Sequence, residues 1–165
     1  MGYDVTFERQ KISALFDLKG KADGMADWAG AHLPAFPEQP NTFTDKDGMT
    51  LCFIGRDHWI LRADIDREKA LLGTLKPEDA PPELSIVRVS DTMTFFRVIG
   101  PDAAQIMAIA SPLDLHPSVF LDHAITFTEV FHLKALVRRV DGGFEFAIEQ
   151  SFANLVEDYL SRATA

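Results

Sequence analysis

A single cysteine, Cys52, stands among the 165 residues. No internal disulfide can form, and its setting in "MTLCFIG" reads as a small buried hydrophobe rather than an activated thiolate. A reducing, cytoplasmic location is the natural expectation. Long apolar runs are missing too, since none approaches the roughly 18 residues of a membrane span. The stretch "MGYDVTFERQKI" puts charges where a signal peptide would carry its apolar core. Basic residues are few, 16 against 25 acidic ones, for a formal charge of −9. Nucleic acid and anionic membranes select clustered Lys and Arg, so neither is an expected partner.

Motifs of common chemistry are absent as well. The chain has no G-x-G-x-x-G or Walker loop to cradle phosphate, and no G-x-S-x-G elbow to present a serine. The five histidines, at 32, 58, 116, 123 and 132, never take the i, i+4 spacing of a helical metal pair. Glu129 and His132 are three apart, which in a strand sends them to opposite faces. No metal site is expected.

What remains is a chain able to bury a core. The apolar fraction is 47%, with 13 phenylalanines, and a globular chain of this length buries about 70% of its unfolded surface. One domain over 1–165 is expected, with 76–83, "KPEDAPPE", as the place where it would divide. Residues 1–20 are loosely patterned and end in "FDLKG", a short strand or arm. A weak helix follows over 21–33, then the proline-rich loop 34–41. "MTLCFIG" and "DHWILRA" read as strands joined at 55–57, and 66–75 as a helix.

In the second half, "LSIVRVSD" and "TMTFFRVIG" (84–99) read as a strand pair. Pro101-Asp102 starts a helix that stops before Pro112. "HAITFTEVF", "HLKALVRRV" and "FEFAIEQ" are further strands, the last entered through Asp141-Gly142-Gly143. Ser151 is placed to cap a final helix, whose apolar stripe is Phe152, Leu155, Val156, Tyr159 and Leu160. No internal repeat is visible. The pattern is α+β, mainly antiparallel strands with packed helices.

Three residues are candidates for a site. Asp114 and His116, in "SPLDLHP", share a face if the loop is extended, and such a pair can orient a base or bind a metal. The plainer reading makes the segment a corner, with Pro112 and Pro117 fixing geometry while Leu113 and Leu115 fill the core. Glu145 alternates with Phe144 and Phe146, so an outward, solvated carboxylate is expected. Arg97 lies in the apolar strand "TFFRVIG", either on a wet edge or against a carboxylate.

The segments "FDLKG", "PNTF", "IGRDHWIL", "VSDTMTFFRVIGPDAAQIMAIASPLDLHPSVF" and "FEFAIEQSFANLVEDYL", in this order, resemble the gamma subunit of heterotetrameric sarcosine oxidase. The likeness runs from about Phe16 to Leu160. Two departures stand out. Ser111 replaces a cysteine usual before "PLDLHP", and "GRDHWIL" replaces "GPDEWLL". The family is similar in turn to the folate-binding domain of the glycine-cleavage aminomethyltransferase. There a strand after the "GPDAA"-type helix ends in a turn bearing the catalytic acid. The matching "TEVFHLKALVRRV" offers only Lys134, Arg138 and Arg139.

The resemblance therefore implies an accessory subunit with no catalytic, cofactor or metal site of its own. Its partners would be the alpha, beta and delta subunits, holding FAD, FMN, NAD, zinc and tetrahydrofolate. The complex demethylates sarcosine to glycine, giving peroxide and either methylene-tetrahydrofolate or formaldehyde. Two alternatives stay open: a standalone folate-binding or aminomethyltransferase-like protein, and a subunit of a related N-methyl amino-acid dehydrogenase.

Overall fold

A computed structural model describes residues 2–165. It divides into two compact units, one built from residues 2–11 and 92–165 and the other from 12–91. The chain passes between them at 11/12 and again at 91/92, so the proline-rich segment 76–83 lies inside the second unit.

The 12–91 unit holds strands β2 (Ser13–Lys19), β3 (Phe43–Lys46), β4 (Met49–Gly55), β5 (His58–Asp64) and β6 (Ser85–Arg88), with helices α1 (Ala22–Ala29) and α2 (Glu68–Leu75). Its antiparallel sheet runs in the order β3-β4-β5-β2-β6. Alternation puts Phe16, Leu18, Trp59 and Leu61 into one core with Met25 and Ala29 of α1 and Leu71 and Leu75 of α2. Each large apolar side chain so buried contributes about 1.5–3 kcal/mol. Cys52 is buried on β4, as its apolar run suggests. Helix α2 ends where Lys76 turns left-handed, just before Pro77.

The other unit holds β1 (Thr6–Arg9), β7 (Met93–Ile99), β8 (Ile125–Val130), β9 (Leu133–Val140) and β10 (Gly143–Glu149), with α3 (Ala103–Ala110) and α4 (Ala153–Ala163). The sheet order is β1-β7-β10-β9-β8. Phe96, Val98, Phe144, Phe146 and Ile148 share a core with Ile106 and Met107 of α3 and Val156 and Leu160 of α4.

These two sheets repeat one another. Shifting β2 by 80 residues onto β7, and β5 by 85 onto β10, reproduces all seven strand pairs between them, from Ser13↔Asp64 matching Met93↔Glu149 to Lys19↔His58 matching Ile99↔Gly143. The edge strands match as well: Phe16↔Arg88 corresponds to Phe96↔Arg9, and Lys19↔Ser85 to Ile99↔Thr6. The hydrogen bond from Gly20 N to Asp57 O recurs from Gly100 N to Gly142 O, at 3.0 Å in each. Thus β1, at the start of the chain, fills the place in its sheet that β6 fills in the other. The sequence hides this repeat because few matched positions keep their residue; Phe16/Phe96, Gly20/Gly100 and Leu75/Leu160 do.

The repeat also corrects three sequence expectations. The segments 84–91 and 92–99 do not pair with each other; β6 joins β2, while β7 lies between β1 and β10. Both alternate like strands, and only the topology assigns them to different sheets. Within residues 1–20 "FDLKG" does end a strand, β2, but the loosely patterned start holds a further strand, β1, which belongs to the other sheet. Ser151 does not cap α4: it sits in the 3₁₀ turn Gln150–Phe152 and its hydroxyl donates to Glu149 Oε1 at 2.6 Å. The matching turn in the other unit, Ile65–Arg67, leads into α2 in the same way.

Candidate functional site

The corner 111–118 leaves α3 in extended conformation at Ser111. Asp114 Oδ1 accepts from the His116 amide at 2.9 Å, a turn closed by an aspartate on the amide two residues on. His116 Nδ1 lies 2.7 Å from Ser118 Oγ and accepts from the Ser118 amide at 3.2 Å. Leu115 is buried and Leu113 packs against the same core. Both polar candidates therefore hold the loop, and both bond within it.

The corner is held from the sheet by Arg139 of β9. Its Nη2 donates to Leu115 O at 2.5 Å, its Nε donates to Phe120 O at 3.1 Å, and its guanidinium lies 4.9 Å from the Phe144 ring centre. Replacing it with Met keeps the stem but leaves two carbonyls without a donor, a cost of about 1–3 kcal/mol. Arg139→Met is expected to speed amide exchange at Val119 and Phe120, whose N–H groups both bond to His116 O. Unchanged exchange there would show that the clamp is not what orders the corner.

Glu145 departs from expectation. Its side chain is 1% exposed, on the sheet face opposite α3 and α4. Oε2 accepts from Arg97 Nε at 2.9 Å and Oε1 from Arg138 Nε at 2.8 Å. The register explains the arrangement, because Glu145 pairs with Arg97 on one side and Arg138 on the other. An alternating sequence shows that Glu145 faces away from Phe144 and Phe146. It does not show that strands bearing arginine flank it. The matched position in the other sheet is Ile60, which is also buried. The arginine pair singled out from the sequence thus has two structural duties, Arg138 on Glu145 and Arg139 on the corner.

Among the described residues no group of His, Cys, Asp or Glu is disposed to hold a metal ion. No helix among them is long and apolar enough to cross a membrane. Asp114 and His116 sit on the corner after α3 and Glu145 in mid-strand on β10, and no hydrogen bond or ion pair links them.

Sequence reading missed a groove in this unit. About 450 Å³ in volume, it lies between the end of α3, α4 and the β8–β9 turn, lined by residues including Ile109, Pro112, Glu129, Phe131, His132 and Tyr159. The turn is unusual. Phe131 and His132 both have left-handed backbones, with φ of 51° and 64°. Such a conformation costs an ordinary side chain about 1–2 kcal/mol, and two-residue hairpins usually place Asn, Asp or Gly there. The matching β3–β4 hairpin does so, with Asp47 and Gly48. Phe131 is anchored by its amide to Ala110 O at 2.7 Å and by its ring to Tyr159, 5.2 Å between centres.

On α4 the predicted apolar stripe splits. Val156 and Leu160 are buried, whereas Phe152, Leu155 and Tyr159 are 38%, 42% and 36% exposed, and Ile109 on α3 is 58% exposed. Spacing alone groups these residues on one side of the helix; only the packing separates the buried seam from the open one.

The fold and the register define an α+β architecture of the aminomethyltransferase-like class. Two solved structures carry that assignment. A chain of heterotetrameric sarcosine oxidase from Corynebacterium sp. U-96, solved with pyrrole 2-carboxylate, is similar with a TM-score of 0.83 and 22% identity, over 97% of this chain and 83% of that one. Aminomethyltransferase T of the glycine cleavage system from Bartonella henselae is similar with a TM-score of 0.68 and 15% identity, over 95% of this chain. This chain spans 45% of the aminomethyltransferase's length. No protein-family model matches the sequence, and no curated protein matches it.

Proposed function

We propose that this chain is an accessory, non-catalytic subunit of a sarcosine oxidase complex, in the gamma position. The observation that carries the reading is the use made of the residues where the aminomethyltransferase likeness would place chemistry. Arg138 is tied to Glu145 and Arg139 to the corner, so the guanidinium groups of both are engaged in holding the fold, and an arginine, always protonated, does not replace a catalytic carboxylate. The similarity supports it in proportion as well. It covers 83% of the sarcosine oxidase chain but under half of the aminomethyltransferase.

In this reading FAD, FMN, NAD, zinc and tetrahydrofolate belong to the alpha, beta and delta subunits. The oxidation of sarcosine occurs there, in the cytoplasm. The chain contributes surface, and its acidic charge speeds the approach of a basic partner face more than it tightens the final complex.

Isothermal calorimetry of the isolated chain with tetrahydrofolate tests the reading against a standalone folate-binding protein. No binding heat is expected up to millimolar ligand. Saturable heat lost in Glu145→Gln would favour the folate-binding alternative. Turnover of the assembled complex with sarcosine and with N-methylglutamate distinguishes the oxidase from a related N-methyl amino-acid dehydrogenase; sarcosine is expected to reduce the flavin faster.

A further inference from the structure

We infer that the groove between α3, α4 and the β8–β9 turn is a docking site for a large aromatic side chain, presented by a basic segment of a partner protein. The internal repeat supplies the first argument. In the helices the match is one residue longer than in the strands, since Met25 and Ala29 of one core correspond to Ile106 and Ala110 of the other, and Trp28 then corresponds to Ile109. Trp28 packs against its own unit's core, and its indole N–H donates to Leu75 O at 2.7 Å, across to the end of α2. The corresponding helix pair in the other unit has Ile109 and Leu160 at these positions. Where one unit closes its helix pair with its own indole, the other leaves a groove.

The strained turn supplies the second argument. Phe131 and His132 occupy left-handed positions that Asp47 and Gly48 fill in the matching hairpin, and both side chains line the groove. A strained conformation kept where its side chains form a surface points to a role for that surface. The apolar area also continues beyond the groove, along the exposed seam of Phe152, Leu155 and Tyr159, further than a small ligand would reach.

Charge identifies the kind of partner. Glu129 lines the groove and is exposed, and it forms no ion pair among the described residues; the ammonium of its cross-strand neighbour Lys134 lies over the Phe127 ring instead, 4.5 Å from its centre. A Lys or Arg beside the incoming aromatic would meet that carboxylate. A second copy of this chain is disfavoured as occupant because each copy carries −9. The partner subunit named by the proposed function is the natural source of such a segment, so the inference rests on that reading for the partner's identity, though not for its chemistry.

Two measurements test it. In the first, the ¹⁵N-labelled chain is titrated with Ac-Lys-Trp-Lys-amide and with Ac-Glu-Trp-Glu-amide. The basic peptide is expected to shift the Phe131, His132 and Tyr159 resonances saturably, the acidic one more weakly. Glu129→Gln should reduce that preference by about two- to fivefold. In the second, the chain is co-expressed with the alpha, beta and delta subunits. Ile109→Trp, which fills the groove as Trp28 does, and Ile109→Lys should each weaken assembly on the order of tenfold or more at unchanged melting temperature.

Full assembly by both Ile109 variants, with wild-type assembly intact, overturns the groove and leaves the accessory-subunit reading standing. Failure of the wild-type chain to assemble removes that reading, and the peptide titration then decides the groove alone. Absence of peptide shifts at the groove in that case overturns it. Concentration-dependent dimerisation abolished by Ile109→Trp would make the occupant a second copy and overturn the heterologous assignment.

Discussion

Glu145→Ala is expected to lower the unfolding free energy by about 3–5 kcal/mol, the range for removing one partner of a buried ion pair. The carboxylate is 1% exposed and accepts from Arg97 and Arg138, whose side chains are 44% and 13% exposed. Without it the largely buried Arg138 loses a charge-assisted hydrogen bond, whereas Arg97 recovers part of its hydration. The loss therefore falls at the lower end of the range. Removing the charges together should restore most of it, because well-packed apolar groups replace buried ion pairs at little cost. Glu145→Leu combined with Arg138→Met is the variant to compare, and the matched Ile60 shows that an apolar side chain is accepted at this place in the sheet. Urea denaturation of both variants measures the difference. A loss below 1 kcal/mol in Glu145→Ala would mean that the cluster is hydrated and that the carboxylate is available for other work.

The second large effect is expected at Gly100. Its φ is +138°, and a Cβ there would stand 2.5 Å from Asp4 O and 2.9 Å from Val5 Cα. Those atoms are backbone leading into β1, so Gly100→Ala must displace the strand that completes the sheet. A cost of about 3 kcal/mol is expected, from the left-handed backbone and the displaced strand together. Gly20 has the same φ within a degree, but its nearest contact would be the Leu84 Cδ2 methyl at 2.6 Å, with Glu83 O at 3.0 Å. A side-chain methyl yields more readily than a carbonyl, so Gly20→Ala should cost less. Thermal denaturation of the two variants gives the order. An equal or reversed order would show that β1 is not held against Gly100.

The sequence made the strands and helices legible where periodicity was clean, as at 49–64, at 125–149 and in the buried seam of α4. It did not show which strands pair. β6 and β7 lie five residues apart and both alternate, so proximity suggested a hairpin that the two-sheet topology rules out. Glu145 was misplaced for a related reason: alternation gives the face, whereas burial depends on which residues the neighbouring strands bring. The turn at the corner is legible because its cause is local, two prolines and an aspartate closing on the amide two residues on. The groove had no local signal. A turn made of Phe131 and His132 looks like the end of a strand until its φ angles are known.

Affinity purification of the tagged chain from its native host decides whether it is a subunit of an oxidase complex. The subunits in the eluate would be identified by mass, and its visible spectrum recorded before and after sarcosine. For an accessory subunit, a flavin spectrum carried by sarcosine oxidase alpha and beta subunits and bleached by sarcosine is expected. A colourless chain eluting alone would contradict it.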